Sequence, residues 1–231
     1  MNPAPIVLFV YNRLWHTQQT VEALQNNVLA KQSELYIYSD EANTEKFQNS
    51  VNEVRQYIDK IDGFKSVTII KRKKNFGLAD SIIDGVTTIV NQNDRIIVLE
   101  DDMVVSPHFL KYMNEALVKF VDDDRVISVH GYVYPVDIEL PEAFFLPGAD
   151  CWGWATWRRG WDIFNPNGKY LLDELTRRGL LRSFDFNGAS PHSKMLKEQI
   201  KGENDSWAVR WYASAFLANK LTLYPGRSLV N

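Results

Sequence analysis

A single cysteine, Cys151, stands in 231 residues, so no intramolecular disulfide can form and a cysteine-built zinc site is excluded. Basic residues are not in excess. With 26 Lys and Arg against 29 Asp and Glu, the formal charge is -3, and such a chain lacks the clustered cations that grip a nucleic-acid backbone. The run Lys71-Arg72-Lys73-Lys74 is a local exception whose length suits a solvated strand end. Long hydrophobic runs are missing too. The N-terminus reaches an apolar segment by Pro5 without the basic and apolar regions of a secretory signal, and no later run is long enough to span a bilayer. Cytoplasm is the expected compartment, with peripheral attachment to the inner face of a membrane left open. No glycine-rich loop follows the first apolar run, neither the dinucleotide fingerprint nor the Walker A pattern, which argues against nicotinamide enzymes and P-loop hydrolases.

What the chain does have is alternation. Ile6-Val7-Leu8-Phe9-Val10-Tyr11 is a continuous apolar run of the kind found in strands buried on both faces. Residues 16–29 place Val21, Leu24, Val28 and Leu29 at near-helical spacing, and Leu35-Tyr36-Ile37-Tyr38 predicts a second strand. Residues 44–61, with Phe47, Val51, Val54, Ile58 and Ile61 at intervals of three and four, form the clearest amphipathic helix. Val67-Thr68-Ile69-Ile70, a helix over 78–90 and Arg95-Ile96-Ile97-Val98-Leu99 complete four strand-helix alternations. Such a pattern calls for a parallel α/β sheet with helices on both faces. Ligands of open sheets bind beyond the carboxyl ends of the strands. The residues there are Asn12 and Arg13, Asp40 and Glu41, Lys73 to Asn75, and Glu100 to Asp102.

The last of these groups is the most informative. Three adjacent carboxylates, Glu100, Asp101 and Asp102, repel one another at the end of a buried strand unless a cation or a set of donors shares the site, and a divalent metal is the obvious partner. The competing account makes them caps for a helix starting near Ser106 or Pro107, although a cap needs only one acid.

The run Val98-Leu99-Glu100-Asp101-Asp102-Met103-Val104-Val105-Ser106-Pro107-His108-Phe109 resembles the Glu-Asp-Asp metal segment of N-acetylglucosaminyltransferase I, a nucleotide-sugar glycosyltransferase of the GT-A fold. The likeness extends to Asn75-Phe76-Gly77-Leu78-Ala79, to Tyr11-Asn12-Arg13 and to Asp40, and covers about residues 5–115. It implies a GT-A (Rossmann-like), mostly parallel sheet flanked by helices. It also implies transfer of a hexosyl or N-acetylhexosaminyl group from a nucleotide sugar, a UDP sugar for preference, to a carbohydrate or glycolipid acceptor with inversion. By the same resemblance Asp102 coordinates Mn2+ or Mg2+, Asp101 approaches the ribose, Glu100 faces the donor sugar and Asp40 lies near the base, with Asn12, Arg13, Asn75, Gly77 and Asp80 completing the donor site. Few protein ligands are needed, because diphosphate oxygens and water complete the shell of a hard cation. No nucleic-acid partner is expected. A polysaccharide or surface-glycan pathway suits such an enzyme.

Beyond the acids the pattern changes. Residues 110–121 predict a helix, 126–129 and 221–224 strands, and 206–219 a last helix. From Tyr132 the chain turns rich in aromatics, Pro and Gly, as an active-site lobe would. Trp154, Trp157 and Trp161 lie at helical spacing and are expected to pack a helix, leaving Asp150 and Trp152 as candidates to bind acceptor sugar. Gly202-Glu203-Asn204-Asp205-Ser206-Trp207 offers a base for the acceptor hydroxyl. Asp205 resembles the family's base position, plain N-capping is equally open for it, and Glu203 is the runner-up. The expected organisation is one GT-A-like domain over 1–231, with a nucleotide-sugar half, 1–121, and an acceptor half, 122–231. The chain is expected to be truncated, because related enzymes continue with a loop over the donor. Two alternatives remain open: a sugar-phosphate nucleotidyltransferase, and a non-catalytic carbohydrate- or nucleotide-binding protein of the same fold.

Overall fold

The computed structural model describes residues 2–231. Its first half alternates as the apolar pattern demands: β1 (Ile6–Val10), α1 (Leu14–Gln25), β2 (Glu34–Ser39), α2 (Gln48–Ile58), β3 (Ser66–Lys71), α3 (Leu78–Asn93) and β4 (Arg95–Glu100). There follow α4 (Phe109–Lys119), β5 (Val126–His130), β6 (Ala143–Pro147), β7 (Trp154–Trp157) and the four-residue α5 (Arg158–Trp161). The chain then runs through α6 (Gly168–Arg177), α7 (Leu181–Phe184), α8 (His192–Lys201), α9 (Trp207–Leu217) and β8 (Leu221–Pro225). The helix expected over 44–61 is divided, since Glu45–Phe47 forms a separate turn of 3₁₀ helix before α2.

One eight-stranded sheet takes the order β3-β2-β1-β4-β7-β5-β8-β6. Strands β1 to β4 pair in parallel, as do β5 and β8, whereas β7 and β6 run antiparallel to their neighbours. This is the expected α/β class, a mostly parallel sheet flanked by helices.

Strand β1 shows how the pattern specifies the layers. Successive side chains point to opposite faces, so Ile6, Leu8 and Val10 pack with Val21 and Leu24 of α1, Val54 and Ile58 of α2, and Met113 and Leu117 of α4. Val7 and Phe9 face the other way, onto Ile82, Val86 and Ile89 of α3. Each of these aliphatic side chains contributes about 1.5–3 kcal/mol by leaving water. A third cluster, in which Leu171, Leu175, Phe184 and Leu196 meet Val209 and Tyr212, attaches α6, α7 and α8 to α9.

The tryptophan segment corrects an expectation. Trp154 to Trp157 is a strand between β4 and β5, in register Val98↔Trp154 and His130↔Trp154, not a helix. Its helical spacing is a coincidence of sequence, because burial on both faces removes the alternation that marks a strand. The tryptophans are core all the same. Trp154 stacks on Trp207 and lies against Trp161 and Trp211, with ring centroids 5.6, 5.8 and 5.9 Å away.

Candidate functional site

The carboxyl ends of β1, β2 and β4 and the segment before α3 enclose a cavity of about 340 Å³. Tyr11, Asn12, Arg13, Asp40, Asn75, Gly77, Glu100 and Asp101 all line it. These residues come from four separate stretches of chain, so only the parallel sheet brings them together. Asn43 and Ser81 also line it and were not anticipated. Both were within reach of a stricter argument: Asn43 lies just past the carboxyl end of β2, and Ser81 lies one turn from Gly77 on the same face of α3. Asp80, on the next position of that helix, is turned away and lines a second cavity of about 530 Å³ with Lys74, Asp84 and Thr87.

Asp40 builds one wall. It is buried, and its carboxylate accepts the backbone N–H of Glu41 at 2.9 Å, of Phe76 at 2.9 and 3.1 Å, and of Gly77 at 3.0 Å. Asn75 adds a side-chain bond to the Glu41 carbonyl, so the segment before α3 is fastened to the end of β2 from both sides. Gly77 closes this segment with φ +76°, a left-handed conformation that favours glycine. Tyr11 is fixed in turn by Asn43, whose amide oxygen accepts the phenolic O–H at 3.0 Å.

Glu100 and Asp101 form another part of the lining, and Asp102 lies just outside it. Asp101 is 4% exposed, and its backbone carbonyl accepts the Thr20 hydroxyl at 2.9 Å. The cation they need is supplied from within the chain: the Arg13 guanidinium bonds Asp101 through both Nη2 and Nε and reaches Asp102 Oδ2 at 3.0 Å. Burial raises the Asp101 carboxyl, and the Arg13 beside it offsets part of that rise. Glu100 is pushed up to about 7, first by burial and then by the charges of Asp102 and Asp101. One guanidinium thus stands beside three carboxyl groups. The capping account fails, because α4 begins at Phe109, seven residues beyond Asp102. The segment between them is held instead by residues 229–231: Val104 and Asn231 exchange backbone hydrogen bonds at 3.1 and 2.9 Å, and Ser106 donates to Leu229 at 2.8 Å.

Among the described residues no group of three or more His, Cys, Asp or Glu could hold a metal alone. The donor set nevertheless fits a divalent cation. Asp102 is half-exposed, and three adjacent carboxyl groups beside a single guanidinium suit a hard cation whose remaining ligands would come from phosphate and water.

The other candidates sit around this centre. Asp205 is exposed and pairs with the buried Arg210 at 3.5 Å; it does not itself line the cavity but stands beside Gly77, which does, so that a Cβ on that glycine would be 3.9 Å from its Oδ2. Its capping alternative is removed, since Ser206 caps α9 by accepting the Val209 N–H. Glu203 is exposed and lies 3.8 Å from Lys201, and it does not line the cavity. Trp152 is 45% exposed and packs edge-on against Tyr132 with centroids 4.8 Å apart. Asp150 accepts the Tyr224 hydroxyl at 3.4 Å. Between Asp150 and Trp152, Cys151 is half-buried, and burial followed by the charges of Asp150 and Glu100 pushes its thiol well up.

Comparison with known proteins follows the same line. The family model described as glycosyl transferase family 2 matches residues 6–170, well over half of the chain. No curated protein matches it. Among solved structures, the mannosyltransferase PcManGT from Pyrobaculum calidifontis, determined in complex with GDP-Man and Mn2+, is similar at 16% identity and TM-score 0.40, over 56% of this chain and 35% of that one. TarS of S. aureus is similar at 14% identity and TM-score 0.35, over 54% and 21%. Its 1-349 form gives 11% and 0.40, over 66% and 47%. This chain therefore spans less than half the length of each of these proteins.

Proposed function

We propose that this chain, which belongs to glycosyl transferase family 2, transfers a sugar from a nucleotide donor to a carbohydrate acceptor. The observation that carries the reading is the convergence of Arg13, Asp40, Asn75, Glu100 and Asp101 on one cavity of about 340 Å³ at the carboxyl edge of the sheet, where α/β folds hold nucleotides. Its volume suits a ligand of that size, and its two walls differ in chemistry. The wall built on Asp40 presents backbone and amide groups suited to a base, and the wall of acids faces the side where a diphosphate would lie.

In the finer reading the donor is a UDP sugar and Asp102 holds Mn2+ or Mg2+. When bound, that ion would stabilise the negative charge developing on the departing diphosphate. The chain's own groups do the rest. Asp101, fixed by Thr20 and Arg13, offers a carboxylate to the ribose. Glu100, close to neutral pH in its titration, hydrogen-bonds a donor-sugar hydroxyl. Asp205, exposed beside Gly77 and held by Arg210, takes the proton from the acceptor hydroxyl as it attacks, which inverts the anomeric carbon. Asp150 and Trp152 bind the acceptor, Trp152 by stacking its exposed face on the sugar. The finer resemblance to N-acetylglucosaminyltransferase I belongs to this proposal, as do the two-part organisation of the chain and a carbohydrate or glycolipid acceptor.

Calorimetric titration of UDP and GDP, with Mn2+ and then with chelator, tests the reading. One of the two should bind with Mn2+, lose affinity with chelator, and fail to bind Asp102→Ala. Binding of neither would overturn it. Asp205→Asn should keep nucleotide affinity and stop sugar transfer, and full transfer by that variant would remove Asp205 as the base.

A further inference from the structure

Arg13 occupies an unusual position. Its backbone is pinned, because its carbonyl accepts both the Thr17 N–H and the Thr17 hydroxyl at the start of α1. Its side chain is 44% exposed and projects into the cavity wall. The guanidinium holds Asp101, whose side chain is almost wholly buried, and the half-exposed Asp102 at the same time. A divalent cation held by Asp102 would share that one carboxylate with the guanidinium, and two cations on one carboxylate would repel each other.

We infer that Arg13 is a resident counter-ion that competes with the metal for Asp102, and that it moves to the donor's phosphate oxygens when the metal takes that carboxylate. Both halves rest on the reading above, the first on its metal at Asp102 and the second on its nucleotide donor. Three features support the exchange. Nε bonds Asp101 while Nη2 is shared between Asp101 and Asp102, so a pivot about Nε would release Nη2 and leave the buried Asp101 paired. Arginine's planar fork binds phosphate in two-point fashion, which a single-point cation does not. A single guanidinium, shared between Asp101 and Asp102, is the one cation paired with these acids among the described residues. The consequence is ordered loading. Metal without nucleotide binds poorly, because the guanidinium has no other anion to go to, and nucleotide with metal binds well.

The test separates the two halves. Mn2+ binding to the full chain is measured alone, by the paramagnetic resonance of free Mn2+, and UDP and GDP binding is measured by calorimetry at saturating Mn2+. Arg13→Gln, which keeps hydrogen-bonding capacity without charge, should bind Mn2+ alone at least about fivefold more tightly than the natural chain and bind the nucleotide with Mn2+ about tenfold more weakly. Arg13→Lys, which keeps the charge and loses the fork, should leave Mn2+ affinity nearly unchanged and still weaken nucleotide binding. Circular dichroism melts of each variant confirm the fold, and Arg13→Lys carries the nucleotide test if Arg13→Gln does not fold. Equal or weaker Mn2+ binding by Arg13→Gln would overturn the competition, as would failure of Mn2+ to bind either form. Nucleotide affinity undiminished in both variants would overturn the handover. If neither nucleotide binds the natural chain, the donor reading fails while the Mn2+ comparison still decides the competition.

Discussion

Asp40→Ala should cost the fold about 3 kcal/mol and dismantle one wall of the cavity. The Asp40 carboxylate accepts four backbone hydrogen bonds from three residues, Glu41, Phe76 and Gly77, all between 2.9 and 3.1 Å. Truncation leaves those N–H groups without acceptors, at about 1–3 kcal/mol for each that water cannot reach. All three residues are partly buried, so water recovers some of the loss and about 3 kcal/mol remains, within the span set by one to two such groups. Urea denaturation would show this as a midpoint lowered by about 1 M, for a slope of about 3 kcal/mol per molar. Amide exchange locates the damage: protection at Phe76 and Gly77 should fall much further than at the β1 and β4 amides. Asp40→Asn should be intermediate, since one oxygen remains while the new NH₂ faces N–H donors. A loss below about 0.5 kcal/mol, with Phe76 and Gly77 protection unchanged, would refute the reasoning and leave Asp40 free for direct contact with a base.

Trp154→Ala should lose about 3–5 kcal/mol in chemical denaturation, because the stacked Trp161, Trp207 and Trp211 cannot close over a hole of that size; a loss under about 1 kcal/mol would mean the cluster repacks. His130 gives a pH signature. It is fully buried, its Nε2 accepts the Trp152 N–H at 3.0 Å, and burial, partly offset by Asp150, holds its pKa below the ordinary 6.5. The unfolded chain thus takes up the proton first as pH falls below about 6.5, and native stability should fall with it. His130→Gln, whose side-chain oxygen reaches the Nε2 position and can accept the Trp152 N–H, should flatten that decline in denaturation series between pH 7 and 5, and identical slopes for the two forms would exclude His130 as its source.

How far the sequence reveals this molecule differs between its halves for a physical reason. Strands β1 to β4 and the helices between them are specified by local apolar runs and by 3.6-residue periodicity, and both are visible within a dozen residues. Val126–His130 and Leu221–Pro225 were legible on the same grounds. Strands β6 and β7 were not. Ala-Phe-Phe-Leu-Pro and Trp-Ala-Thr-Trp are short, and what makes them strands is pairing with β8 and with β4 and β5, partners far away along the chain. The amphipathic α6 and α8 lay in a polar stretch whose apolar residues are few, and their burial depends on Val209 and Tyr212 of α9.

The candidate site divides in the same way. Residues at strand ends could be placed from the rule that parallel sheets bind ligands at their carboxyl edge, and those on β1, β2 and β4 do converge there. What the rule cannot supply is rotation about a helix or the identity of a neighbouring charge. Asp80 and Ser81 are adjacent in sequence, yet one turn of α3 gives the cavity to Ser81 and sends Asp80 to the far side. The three acids, read alone, call only for a metal. The folded chain shows that Arg13, 88 residues away, already answers part of that demand. A carboxylate cluster in a sequence therefore measures how much positive charge a site needs, and the fold decides how much of it the protein provides for itself. Here one guanidinium, Arg13, is shared between Asp101 and Asp102 with Glu100 beside them, and that imbalance of one cation to three carboxyl groups is the physical argument for the cation proposed at Asp102.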